Sequence, residues 1–235
     1  MSNYLTLCQD AERECSLTSL LTAVASQTGE HLRFVNWVKS AYTEIQNRHN
    51  GQWRWLRRSF TFNTTSGDDT YAYGDITDVD AAAVITRFGN WLAHDWEDRY
   101  RCYLTSGGVG VQYYLNYLDW VDFKAIYKTG SQNNSAPAFI TVDPQNQIVL
   151  GPQPDDTYTV TGEYMRSAQL LAADGDTPEM PSQYHGLIVA QAMEKYGLTE
   201  SAEEVLVRAR GDEKRLIRQL EANQLPMPTM AGPMA

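Results

Sequence analysis

The chain has 235 residues, 43% of them hydrophobic and 20% charged, with a formal net charge of -10, which is enough to bury a sizeable core in one large or two small domains. No apolar run reaches the roughly 20 residues of a membrane-crossing helix, and Met1–Leu5 lacks the basic segment and apolar stretch of a secretory signal. The acidic balance argues against a free-standing nucleic-acid binder, whose affinity would come from phosphate neutralisation by Lys and Arg, but not against a place near DNA.

From Tyr4 to Cys15 the residues Leu5, Cys8, Ala11, Glu12 and Cys15 recur at helical spacing, with Asn3 or Ser2 as cap. Cys8, Cys15 and Cys102 are an odd count, and the first two, sharing one helix, read as core filler rather than a bridge or a metal pair. A second helix is expected from Thr28 or Gly29 to Asn50–Gly51, its apolar face built from His31, Phe34, Val35, Val38, Ala41, Tyr42 and Ile45. Trp37 falls on the polar side, either a lone surface ring or an interface anchor.

Gln52–Phe62 alternates as a strand, turns over Thr64–Asp69 and returns as Tyr71–Tyr73, the pattern of a hairpin. Arg54, Arg57 and Arg58 form a tight basic cluster interleaved with Trp53 and Trp55. Packed aromatics flanked by solvated or salt-bridged charges explain it better than a nucleic-acid patch. Asp75, Asp78 and Asp80 suggest helix capping, because the Gly and terminal Glu of a calcium loop are missing. Val79–Gly89 fits helix or strand, and Gly107–Gly110 lacks the spacing of a dinucleotide fingerprint and reads as a loop. A short helix is expected over Tyr117–Lys128, with Leu118, Val121 and Ala125 inward.

Ala138–Val142, Gln147–Leu150 and Thr157–Met165 read as a three-strand meander, broken at Asp143–Asn146 and Gly151–Asp156. In its last strand Tyr158, Val160, Gly162 and Tyr164 share one face. A polar loop follows, whose Asp174, Asp176 and Glu179 do not complete a calcium site. Pro181 then opens a helix over Ser182–Tyr196, closed by Gly197.

A final helix from Thr199 to about Asn223 sets an apolar stripe of Ala202, Val205, Leu206, Ala209, Leu216, Ile217 and Leu220 against a charged side that holds Arg208, Glu213 and Arg215. That side is a solvated surface or, in an oligomer, a contact with a neighbour. The Pro/Met tail has no regular pattern, and such a segment becomes ordered by docking on another chain.

The organisation is therefore α+β: residues 1–51 plus 181–223 helical, 52–180 β-rich with a short helix, and 224–235 an extended tail. The four histidines are dispersed, there is no Gly-x-Ser-x-Gly elbow and no phosphate-binding loop, so no catalytic, metal or cofactor site is predicted.

Asp119–Phe123 with Tyr127, Ala136-Pro137, Asn146–Leu150, Pro152–Tyr158, Glu163-Tyr164, Leu170 and Pro181–Tyr196 follow one another in an order that resembles the head-to-tail adaptor proteins of tailed bacteriophages. At the front, Ala11–Cys15, Gln27–Glu30, Trp37–Ile45 and Trp53–Leu56 extend the resemblance over nearly the whole chain. It implies a helical bundle from the N- and C-terminal helices carrying a central antiparallel β-rich portion. It also implies a virion protein, without cofactor or membrane, that forms a homo-oligomeric, commonly dodecameric, ring between the portal protein and a tail nozzle or tail tube protein, with DNA passing through. An acidic lumen would repel phosphate and let DNA slide. Expected contact residues are Trp37, Arg54, Arg57, Arg58, Arg208 and Arg215, with Pro226, Met227, Pro228, Met230 and Pro233 on the portal. The alternative from another class is a virion-associated peptidoglycan hydrolase acting during infection; a carbohydrate-binding module is a third, and its aromatics are more economically core residues.

Overall fold

The computed structural model describes residues 2–93 and 100–225. The helices are α1 (Tyr4–Glu14), α2 (Gly29–Asn47), α3 (Trp120–Tyr127), α4 (Gly186–Thr199) and α5 (Glu203–Gln224). The strands are β1 (Arg57–Asn63), β2 (Thr70–Tyr71), β3 (Thr77–Asp78), β4 (Ala83–Val84), β5 (Asn90–Trp91), β6 (Arg101–Leu104), β7 (Tyr113–Tyr114), β8 (Asn116–Tyr117), β9 (Phe139–Val142), β10 (Ile148–Gly151) and β11 (Tyr158–Met165). The chain is α+β and divides into a helical unit, Met1–Leu56 with Ala168–Ala235, and a β unit, Arg57–Ser167.

In the helical unit the Asn3 side chain accepts from the Thr6 amide at 2.8 Å and caps α1. α4 packs against α1, α2 and α5, and its run from Leu187 to Met193 is buried without interruption, as expected of a helix covered on most sides. After α2 the backbone turns left-handed at His49, Asn50 and Gly51. This reversal returns Trp53 to α2, where its buried indole N–H donates to the Ile45 carbonyl at 2.8 Å and its ring stacks on Trp55 at 4.8 Å. Trp53–Leu56 is thus not the start of a strand; Arg54–Leu56 is a 3-10 turn. Gly197 does not close its helix but lies within α4, where a Cβ would sit 3.1 Å from Leu206 Cβ, so its bare backbone lets α5 approach closely.

The helical unit also includes the loop after Ser167. Gln46 exchanges two hydrogen bonds with the backbone of Gln169, the Tyr4 amide donates to the Asp176 carbonyl, and Asp174 accepts from the Val24 amide. Asp176 accepts from the amides of Ala172 and Ala173, which lower its carboxyl pKa. The acids of this loop therefore tie backbone together.

Two sheets make the β unit: a seven-stranded one in the order β4-β3-β1-β11-β6-β7, with β5 also on β11, and a four-stranded one in the order β2-β10-β9-β8. All pairs are antiparallel except β8 with β9. The expected meander is broken: β9 and β10 form a hairpin, whereas β11 leaves for the centre of the other sheet. Pro152 and Pro154 lie in the connection and have no N–H to give a ladder, so the hairpin pattern ends there. The expected hairpin of β1 with Tyr71–Tyr73 is likewise replaced, since β1 pairs with β11 and β3 while β2 joins β10. In α3 the inward residue is Phe123; Ala125 is exposed, and Val121 is 71% exposed. Phe123 and Tyr127 instead close over Gly151, where a Cβ would lie 2.7 Å from Phe123 Cε2.

The core of the seven-stranded sheet is aromatic. Phe60 meets Trp91 and Tyr100 edge-on at 5.0 Å each, over the bare backbone of Gly162 in β11. A methyl group there would lie 2.7 Å from Tyr100 Cε1 and 2.9 Å from Phe60 Cζ. Gly162→Ala should therefore lower unfolding free energy by about 1–3 kcal/mol, read as a fall in urea midpoint. Gly175→Ala, in open space, should leave it unchanged.

Candidate functional site

The residues expected to make contacts have distinct local fates. Trp37 is half-buried, edge-on to Phe34 at 5.2 Å and to Tyr196 of α4 at 6.2 Å. Its ring is held between α2 and α4 with only part of it presented to solvent. Arg208 joins α5 to the end of α1 by a 3.0 Å ion pair with Glu14, and Arg215 pairs with Asp212 one turn away at 2.8 Å. Both are exposed pairs of the kind worth under about 1 kcal/mol. Arg54 is exposed and makes no ion pair among the described residues. Pro226, Met227, Pro228, Met230 and Pro233 lie outside the described residues.

The basic cluster is divided by the unit boundary, with Arg54 in the helical unit and Arg57 and Arg58 in the β unit. Arg57 pairs with Glu163 across the β1–β11 ladder, and Arg58 lies 3.7 Å from Asp80. Trp53 and Trp55 are buried. Arg57 and Arg58 thus answer carboxylates of their own unit, whereas Arg54 meets none among the described residues.

Glu213, expected on the outer side of α5, points inward. It accepts from Arg48 at 2.6 Å and from Gln191 at 2.9 Å, linking α5 to the end of α2 and to α4. Burial works to raise its carboxyl pKa, but the bonds from Gln191 and Arg48 outweigh it and hold it below the ordinary value. The signal was in the spacing, since Glu213 stands four residues after Ala209 and four before Ile217, both buried. Glu12, fully buried in α1, accepts from the Leu21 amide at 2.8 Å and meets His31 Nδ1 at 2.6 Å.

Asp78 caps a turn, not a helix. One carboxylate oxygen accepts from the amides of Asp80 and Ala81 at 2.9 and 3.0 Å, and the other accepts from the Tyr164 hydroxyl of β11 at 2.6 Å. Burial again opposes ionisation, and the bonds from Tyr164, Ala81 and Asp80 with the nearby Arg58 prevail, so its pKa is lowered.

The three cysteines are enclosed, and His49 and His185 are engaged. Burial pushes the Cys15 thiol up to about 12 and raises those of Cys8 and Cys102, which leaves all three unreactive at neutral pH. His49 pairs with Glu221 at 2.9 Å and His185 with the Met180 carbonyl at 3.0 Å, while His94 lies outside the described residues. Among the described residues no three His, Cys, Asp or Glu side chains converge as a metal site. An open groove of about 450 Å³ in the helical unit is lined, among the described residues, by Gln183, Tyr184, Gln219, Ala222 and Asn223.

Asp78→Asn should destabilise the chain by about 1–3 kcal/mol at pH 7. The folded pKa of Asp78 is depressed, so its stabilisation is complete above the ordinary Asp pKa of about 4 and is lost as pH falls through the folded value. Urea titrations should accordingly show the gap between wild type and variant narrowing below about pH 4. A gap constant with pH would refute this role.

Family comparison gives this surface its context. The model of the SU10 adaptor protein family matches residues 2–231. No curated protein matched the chain. With all but a few terminal residues inside the match, the chain belongs to the SU10 adaptor protein family of bacteriophage head-to-tail adaptors, structural virion proteins that associate with portal and tail components.

Proposed function

We propose that the chain assembles into a ring, of twelve copies as is common among adaptors, beneath the portal protein and above a tail nozzle or tail tube protein, and that DNA passes through its lumen. The observation that carries this reading is the family match over residues 2–231. Charge supports it: the net charge of -10 is multiplied around a ring, and an acidic wall repels the phosphate backbone. Arg13, Arg33, Arg48, Arg57, Arg208, Arg210 and Arg215 are each engaged by a carboxylate of the same chain, which offsets their attraction for phosphate.

Within this reading the helices of the helical unit act as the bundle of the family fold. Arg54 is free to meet a carboxylate on a partner, being exposed and without an ion pair among the described residues. Trp37, Arg57, Arg58, Arg208 and Arg215 contribute around their existing partners, and the segment from Pro226 to Ala235 attaches to the portal.

Light scattering after size exclusion, with purified portal added, should give the mass of a ring on the portal. A chain that stays monomeric and ignores the portal would refute the reading. Deleting residues 226–235 should weaken portal attachment with the melting temperature unchanged; undiminished attachment removes the tail from the contact.

A further inference from the structure

The seven-stranded sheet ends in two strands whose outer edges have no partner strand among the described residues, β4 on one side and β7 on the other. Natural sheets protect such edges with charge, bulges or short strands. Here both strands are only two residues long, which limits backbone pairing, yet the side chains around them are apolar and open to solvent. The β3–β4 turn runs Val79-Asp80-Ala81-Ala82-Ala83-Val84, all exposed, with Val79 at 50% and Val84 at 53%. Asp78 holds this turn through the amides of Asp80 and Ala81, so it is a preformed projection. At the other edge Val109, Val111 and Tyr114 are 59%, 56% and 54% exposed. Single exposed apolar residues are ordinary, but groups of them at both ends of one sheet mark surfaces made to be covered.

The charges at the two edges are opposite. Asp75 lies in the turn that packs against β4, and its carboxylate is exposed with no ion pair among the described residues. Arg101, on β6 opposite Tyr114, is exposed, lies 5.6 Å from the centre of that ring, and also makes no ion pair among the described residues. One chain thus carries both halves of a complementary pair, at opposite ends of one sheet, and the occupant that fits is a second copy of the chain.

We propose that the β3–β4 turn of one copy seats on the β7 edge of the next, with Val79 and Val84 against Val109, Val111 and Tyr114, and with Asp75 facing the neighbour's Arg101. The contact is head-to-tail, and a contact of that kind repeats in one direction until rotation closes it into a ring. The inference rests on the ring reading above and assigns the surfaces that meet within it. With strands this short, apolar side chains supply most of the contact and the charge pair sets its direction.

Full-length Asp75→Arg, Arg101→Asp and the double variant, each mixed with purified portal, test the pairing by light scattering. Each single variant should lower the ring fraction by about tenfold or more, because it opposes like charges, and the double variant should restore it. Single variants that assemble as wild type overturn the edge contact and leave the ring intact, as does a loss that the double variant fails to rescue. A wild-type chain that never assembles overturns ring and contact together. Val84→Cys and Tyr114→Cys chains, mixed and oxidised on the portal, should form a disulfide only between unlike variants, the native thiols being buried. Dimers of like variants, or no cross-link in assembled particles, overturn the head-to-tail arrangement.

Discussion

The ladder between β1 and β11 is the pairing on which the rest of the β unit depends. It sets Arg57 opposite Met165 and Asn63 opposite Thr159, so every register step joins the beginning of the unit to its end. β3 and β4 extend it on one side, β6 and β7 on the other, and β5 adds to β11. Phe60 and Tyr164, from the two strands, gather Trp91, Tyr100 and Phe88 into one aromatic cluster. The Arg57–Glu163 pair and the Tyr164–Asp78 bond then fasten its flanks. Without Gly162 the rings could not close over the sheet.

How much of this was legible depends on the range of the interaction. α1, α2 and α5 were readable because a helix repeats every few residues and its apolar face is a local property. Individual strands were readable from alternation, but their partners were not, since nothing near Arg57–Asn63 identifies residues 159–165 as its mate. The hairpin expected with Tyr71 was therefore a reasonable local solution that a distant strand displaced. α3 misled for a different reason: with one buried ring, Phe123, it has no stripe whose period could be read.

The contact residues divide in the same way. Arg57 and Arg58 answer carboxylates, one of the two alternatives that the sequence left open for charges beside packed aromatics. Their partners, Glu163 and Asp80, were not identifiable, being fixed by the sheet. Glu213 was readable in principle and missed in practice, since charge was given more weight than position on the helix. The exposed edge residues left no sequence signal of their own, because Val79 and Val84 resemble any core-bound pair until the topology makes β4 terminal.

The β1–β11 register also bears on how the chain folds. The helical unit is discontinuous: it stops at Leu56 and resumes at Ala168. Helices α1 and α2 must therefore await α4 across a long intervening segment, and closing so long a loop carries an entropic penalty that slows non-local assembly. Because the first and last strands of the insertion are neighbours in one ladder, a folded β unit brings its own ends together and shortens that loop to a few residues. The sheet thus acts as an internal clasp that lowers the entropic cost of bringing α4 back to α1 and α2.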